Sequence, residues 1–186
     1  MSVSTNDLKN GMSLNLPEGL MTVIEFQHVK PGKGGAFVRT KLRNYKTGAV
    51  LERTYRADEK LTLAIIEKKE MQYLYRDGDS YTFMDNESYE QMGVDPAVLG
   101  EATKYIKEGD TVILPMYQGQ VVGVELPAAV ELEVSQTDPG VQGDRVSGAK
   151  KPATLETGAV VQVPLFVETG DRIKVDTRTG EYLTRV

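Results

Sequence analysis

The chain has 186 residues and a net charge of −5, with no cysteine, no tryptophan and one histidine, His28. This inventory excludes a disulfide framework, a thiolate nucleophile, a cysteine zinc site and any histidine-paired triad or His-rich metal centre. No apolar run approaches membrane-spanning length and the first residues lack a signal-peptide core, so a cytoplasmic protein with no membrane role is expected.

Charge is unevenly placed: net +4 over residues 1–63, −7 over 64–127 and −2 over 128–186. A basic first third suits nucleic acid. An acidic middle is repelled by phosphate and suits basic protein instead.

Strand patterns dominate. A short strand near Met12 to Asn15 precedes the alternating run Met21 to Val29, and a second run continues from Phe37 to Leu42. Val50 to Arg56 alternates again after the turn Lys46-Thr47-Gly48. Together these predict a small barrel of four or five strands, decorated by Arg39, Lys41, Arg43, Arg53 and Arg56. Between the first two long runs lies Lys30-Pro31-Gly32-Lys33-Gly34-Gly35-Ala36. Pro31 fixes its own backbone and biases Lys30 away from helix. Gly32, Gly34 and Gly35 make the loop thin, and Lys33 is the only residue from Gly32 to Ala36 with a long reach. Two readings stand: a surface hairpin with a solvated lysine, or a narrow probe carrying an amine into a crowded cleft.

Asp58-Glu59-Lys60 reads as a polar junction and Leu61 to Ile66 as the apolar opening of a second module. Glu70 to Arg76 and Ser80 to Asp85 flank Asp77-Gly78-Asp79, a hairpin turn; no further carboxylates follow at calcium-loop spacing. Asp95 and Pro96 suit the N-cap and first position of a helix running to about Tyr105 and stopping at Gly109. Thr111 to Tyr117 and Gln120 to Leu126 form a hairpin around Gln118-Gly119. In the last third, Val130 to Ser135 alternates, Asp138 to Pro152 reads as a long exposed loop, and Val160 to Val167 reads as strand. Arg172 to Val175 then pairs with Glu181 to Val186 around Thr179-Gly180. Gly109-Asp110 precedes Gly119 by the interval at which Gly170-Asp171 precedes Gly180, which points to two modules sharing a five-stranded OB-like plan.

No catalytic constellation emerges. Lys33 is followed by Gly34 rather than the Ser or Thr of a phosphate loop, and Phe37 stands where a dinucleotide loop needs its third glycine. A Schiff-base lysine wants a desolvated amine, the opposite of a glycine-flanked tip. The expectation is a non-enzyme with no cofactor and no metal site. His28 reads as a strand residue.

The segment Lys30 to Gly34 with Ala36-Phe37-Val38-Arg39 resembles the tip of bacterial translation elongation factor P. The run Lys151 to Val167 and the ending Val175 to Leu183 resemble that family's C-terminal signature, and the likeness covers essentially the whole chain. The resemblance implies an all-β fold of three small barrels, a KOW/SH3-like domain and two OB-folds, in an L-shaped, tRNA-like arrangement. Expected boundaries are 1–63, 64–127 and 128–186. It implies a monomer that binds rRNA and ribosomal proteins between the peptidyl and exit tRNA sites. Its tip would meet the peptidyl-tRNA acceptor end and promote peptide bonds at consecutive prolines. Lys33 would carry the contact and accept a lysine modification from a dedicated enzyme, supported by Lys30, Pro31, Gly32, Gly34 and Gly35. Family members bearing rhamnose use arginine at this position, which argues against rhamnose here.

Arg39 is a further candidate RNA contact. Gly143-Asp144-Arg145 matches a loop thought to meet the exit-site codon; some members have threonine where Arg145 stands, and arginine still suits RNA. Tyr182 and Arg185 resemble C-terminal RNA contacts, with an ordinary closing strand as the other reading. The alternative for the whole chain is an RNA-binding adaptor of small barrels with no part in peptide transfer.

Overall fold

The computed structural model describes residues 1–140 and 148–186. The chain divides into two compact units, Met1–Lys68 with Pro115–Gly123, and Lys69–Leu114 with Val124–Val186. The architecture is all-β, and among the described residues no helix is long and apolar enough to cross a membrane.

The first sheet contains β1 (Ser2–Ser4), β2 (Ser13–Leu16), β3 (Gly19–Val29), β4 (Phe37–Asn44), β5 (Val50–Arg56) and β6 (Lys60–Ala64), in the order β1-β6-β2-β3-β4-β5. Alternate residues of β2 to β4 bury Leu14, Met21, Val23, Val38 and Leu42 in one core with Leu8 and Leu61. Truncating a buried leucine such as Leu14 to alanine costs about 2–5 kcal/mol in such a setting. Asp58-Glu59-Lys60 is not a junction. Thr5 N donates to Glu59 O at 2.9 Å and Thr5 Oγ1 to Arg56 O at 2.8 Å, so this segment is a closing turn of the first sheet. Leu61 then returns to the first core, and Lys60–Ala64 pairs with β1 and β2 instead of opening a second module.

The second sheet has the order β11-β10-β7-β8-β9, from β7 (Glu67–Asp77), β8 (Ser80–Asp85), β9 (Gln91–Val94), β10 (Thr111–Tyr117) and the short β11 (Gln120–Val121). Asp95 caps helix α1 (Pro96–Leu99), its Oδ1 accepting from Ala97 N at 2.8 Å. The helix is shorter than its pattern predicts. Gly100 leaves the right-handed region at φ +55 and the chain continues as a 3-10 turn to Lys104.

The third sheet has the order β14-β13-β12-β15-β16, from β12 (Ala129–Thr137), β13 (Lys150–Leu155), β14 (Val160–Pro164), β15 (Arg172–Asp176) and β16 (Tyr182–Arg185). Lys150 to Pro152, expected in the exposed loop, belong to β13; Lys151 is buried and donates through Nζ to the Asp138 carbonyl. Tyr105 plugs the core of this sheet beside Leu132, Leu155, Val163 and Ile173.

The Gly-Asp echo is a hydrogen-bonded repeat. Gly109 N donates to Tyr73 O at 2.7 Å and Tyr73 N to Asp110 O at 2.8 Å, while Lys107 N reaches Asp110 Oδ2 at 3.0 Å. Gly170 N donates to Val134 O at 2.9 Å and Val134 N to Asp171 O at 2.8 Å, while Glu168 N reaches Asp171 Oδ2 at 2.9 Å. β7 and β12 each carry a bulge just past the residue so paired, between Tyr73 and Tyr75 and between Val134 and Gln136. Two sheets therefore share one plan down to the turn that closes them.

Among the described residues each sheet contains a second kind of turn. Asn44 Oδ1 accepts from Lys46 N at 2.8 Å and Thr47 N at 3.0 Å, and Gly48 N closes on Asn44 O at 2.8 Å. Asp85 does the same with Glu87, Ser88 and Tyr89, and Asp176 with Arg178, Thr179 and Gly180. Short polar side chains that accept from their own backbone favour such turns.

Candidate functional site at the β3–β4 loop

β3 and β4 pair from Met21↔Asn44 to Val29↔Phe37, with a bulge between Val23 and Glu25. At about 3.4 Å per residue, β4 spans roughly 24 Å and carries the loop 30–36 at its end. The nearest tie beneath the tip is Ala57 N donating to Ala36 O at 3.0 Å. Lys30, Pro31, Gly32, Lys33, Gly34 and Gly35 are all exposed, and among the described residues neither Lys30 nor Lys33 has an ion-pair partner.

Gly34 needs its lack of a side chain, because its φ is +105. Gly32 and Gly35 do not: neither has positive φ, and a methyl group at either would meet nothing within 4 Å. Nothing in the folded chain itself requires those two positions to be bare.

The strands below the tip are less uniformly positive than their arginines and lysines suggest. Cross-strand partners share a face, so the outer side of β4 is read with its neighbours. Arg56 lies beside Phe37, and Arg39 sits between Gln27 and Thr54. Lys41 sits between Glu25 and Glu52, with Nζ 3.0 Å from Glu25 Oε2; that hydrogen bond, then the charge of Glu25, raises the lysine pKa. Arg53, on the opposite face, is held by Glu18 at 2.8 Å. Among the described residues the side chains of Arg39, Arg43 and Arg56 form no ion pair and are exposed, while the Arg56 backbone N–H donates to Glu59 Oε2 at 3.1 Å. Arg56 ends a strand whose register places it opposite Phe37, next to the loop.

The other candidate residues lie elsewhere. Tyr182 and Arg185 are on β16 in the second compact unit. Tyr182 is half-buried against the third core, as a closing strand requires. Arg185 is exposed but occupied, its guanidinium 5.0 Å from the Phe166 ring centre and 3.6 Å from Asp171. Gly143, Asp144 and Arg145 lie outside the described residues.

Three family descriptions match in chain order: "Elongation factor P (EF-P) KOW-like domain" over residues 4–61, "Elongation factor P (EF-P) OB domain" over 66–124 and "Elongation factor P, C-terminal" over 130–185. Elongation factor P of Pelotomaculum thermopropionicum is 58% identical over 184 residues, covering 99% of this chain and 100% of the relative. The same-named protein of Moorella thermoacetica is 54% identical, with 98% and 99% covered. Among solved structures, eukaryotic translation initiation factor 5A from Methanococcus jannaschii aligns with a TM-score of 0.53 at 23% identity, covering 67% of this chain and 94% of that one, a likeness of fold alone. With a KOW-like domain, OB domains and full-length relatives that share its order of parts, the chain belongs to the elongation factor P family and is a translation elongation factor.

Proposed function

We propose that the protein binds the ribosome between the peptidyl and exit tRNA sites and promotes peptide-bond formation at consecutive prolines. The Lys33 loop positions the peptidyl-tRNA acceptor end. The observation that carries this reading is the bareness of Gly32 and Gly35, which the folded chain does not need and which a probe entering a crowded cleft does. Lys33, exposed and without an ion-pair partner among the described residues, is the side chain such a probe delivers.

Proline's ring restricts its approach as an acceptor, and a proline-rich nascent end resists reactive geometry. The ribosome's RNA makes the bond. A factor helps by holding the peptidyl-tRNA end in a productive pose, which reduces the ordering entropy left to the reaction. No acid–base step by the protein is needed. An ammonium at Lys33 suits this role because it is charged at neutral pH and donates to phosphate or ribose oxygens.

The proposal includes three domains at 1–63, 64–127 and 128–186, a monomer at work in the cytoplasm, ribosomal RNA and protein partners, and an enzyme that modifies Lys33. Arg39 extends the RNA contact below the tip. Gly143, Asp144, Arg145, Tyr182 and Arg185 are further RNA contacts in this reading. Paired reporters with and without a Pro-Pro-Pro run test it: Lys33→Ala should slow synthesis only across the run. Equal rescue by wild type and variant removes Lys33 from the mechanism. The mass of the Lys30–Arg39 fragment from the native host tests the modification: added mass supports it, and the unmodified mass argues against it.

A further inference from the structure

The outer face of β3 to β5 changes character half-way along β4. Its two rows nearest the tip carry Arg56 beside Phe37, with one carboxylate, Glu59, at the Arg56 backbone N–H (3.1 Å), and Arg39 between Gln27 and Thr54. The next row sets two carboxylates, Glu25 and Glu52, against one amine, Lys41, which is already bonded to Glu25 at 3.0 Å. Beyond it Arg43 stands between Thr22 and Val50. Arg43 therefore has the same strand, face and exposure as Arg39, with the carboxylate row between them.

Successive outward rows on a strand are about 7 Å apart, two residues at ~3.4 Å each. The Debye length near physiological salt is about 8 Å, so a polyanion lying on the Arg56 and Arg39 rows feels the carboxylates of the next one. An amine already neutralised by a carboxylate offers a phosphate little, and the second carboxylate repels it.

We propose that this face binds a phosphodiester backbone only over its tip-proximal half, through Arg56 and Arg39. The Glu25–Lys41–Glu52 row is an electrostatic stop. It limits how far RNA lies along the sheet and so sets how deep the Lys33 tip enters. The inference rests on the reading that the loop meets a tRNA end, and it adds Arg56 as a binding residue and the carboxylate row as a positioning device.

The test uses the full-length protein and a deacylated tRNA labelled at its 3′ end. Binding is followed by fluorescence anisotropy from about 20 to about 200 mM salt, because each phosphate contact adds close to one unit to the slope of log affinity against log salt. Arg39→Gln and Arg56→Gln should each weaken binding and reduce that slope by about one, so that each loses about threefold less affinity than wild type between about 50 and about 200 mM salt. Arg43→Gln should leave affinity and slope at the wild-type value. Glu52→Gln should tighten binding and steepen the slope, as the stop is relaxed. The proposal is overturned if Arg43→Gln acts like Arg39→Gln, if Glu52→Gln changes nothing, or if the wild type shows no salt-dependent binding even at the lowest salt. A failed salt pattern alongside Lys33-dependent synthesis across Pro-Pro-Pro sinks the stop alone. A correct salt pattern alongside Lys33-independent synthesis sinks the proposed function.

Discussion

Tyr89 stands at φ +62 in the turn position that Gly180 occupies at φ +75. The turns are the same in hydrogen bonding: Tyr89 N closes on Asp85 O at 2.9 Å, and Gly180 N on Asp176 O at 2.8 Å. Tyr89 is 71% exposed, so little packing offsets its strained backbone.

Replacing Tyr89 with glycine should therefore stabilise the protein. A left-handed residue with a side chain costs about 1–2 kcal/mol, and glycine's extra freedom in the unfolded chain takes back about 0.4–1 kcal/mol. A net gain of about 0.5–1 kcal/mol is expected in a urea titration. Gly180→Ala should lose about 1–2 kcal/mol, because it meets the same strain and its methyl lies 3.0 Å from Tyr105 Oη. A lower urea midpoint for Tyr89→Gly would contradict the strain argument.

The carboxylate versions of this turn give stability a pH dependence. Asp85 is held below the usual aspartate range chiefly by the backbone N–H of Glu87, with Ser88 N–H and Lys69 adding to it; Asp176 is held down by the N–H groups of Arg178 and Thr179. The folded pKa lies below the unfolded one. The stabilisation is thus present above the ordinary aspartate value of about 3.9 and is lost as pH falls through the folded value. Asn44 makes the same turn with an amide, so Asp176→Asn should keep the turn but melt below wild type at neutral pH, the two converging as the pH falls through the folded value. Melting temperatures taken from neutral pH downward should show a shallower acid decline in Asp85→Asn/Asp176→Asn than in wild type. Parallel curves would remove these two aspartates from the acid response.

Folding and function should separate at the tip. Gly32→Ala and Gly35→Ala meet open space, so their melting temperatures should match wild type while synthesis across Pro-Pro-Pro slows. Gly34→Ala carries left-handed strain as well and should lose about 1 kcal/mol. If Gly32→Ala supports full rescue, clearance at that position is not part of the mechanism.

Gly140 offers the opposite case. A methyl group there would sit 2.6 Å from the backbone carbonyl oxygen of Leu165, which has no flexible end to move aside. Gly140→Ala should cost about 1–3 kcal/mol, an overpacking penalty. A thermal melt that superimposes on wild type would show that the backbone yields there at no cost.

Much of the fold was legible because its strands alternate cleanly and its turns announce themselves. Val50–Arg56 is found where its pattern puts it, and the Gly109 and Gly170 turns are equivalent in their bonds as well as their letters. What escaped was decided by tertiary partners. Leu61 belongs to the first core because Leu8 and the three-residue β1 are there to receive it, and no local period reveals that. Gly100 ends α1 early although the apolar spacing continues. At the site, the thin tip is plain in the sequence. The sorting of free from neutralised cations is not, because it depends on register: Glu25 and Glu52 flank Lys41 only once three strands are aligned.

The most direct test of the central claim is an electron cryo-microscopy map of the protein on a ribosome stalled before a second proline. The account predicts the 30–36 loop inside the peptidyl-transferase centre, with the Lys33 amine within hydrogen-bond reach of the terminal nucleotides of the peptidyl-tRNA. A bound protein whose tip faces solvent, away from any acceptor end, would contradict it.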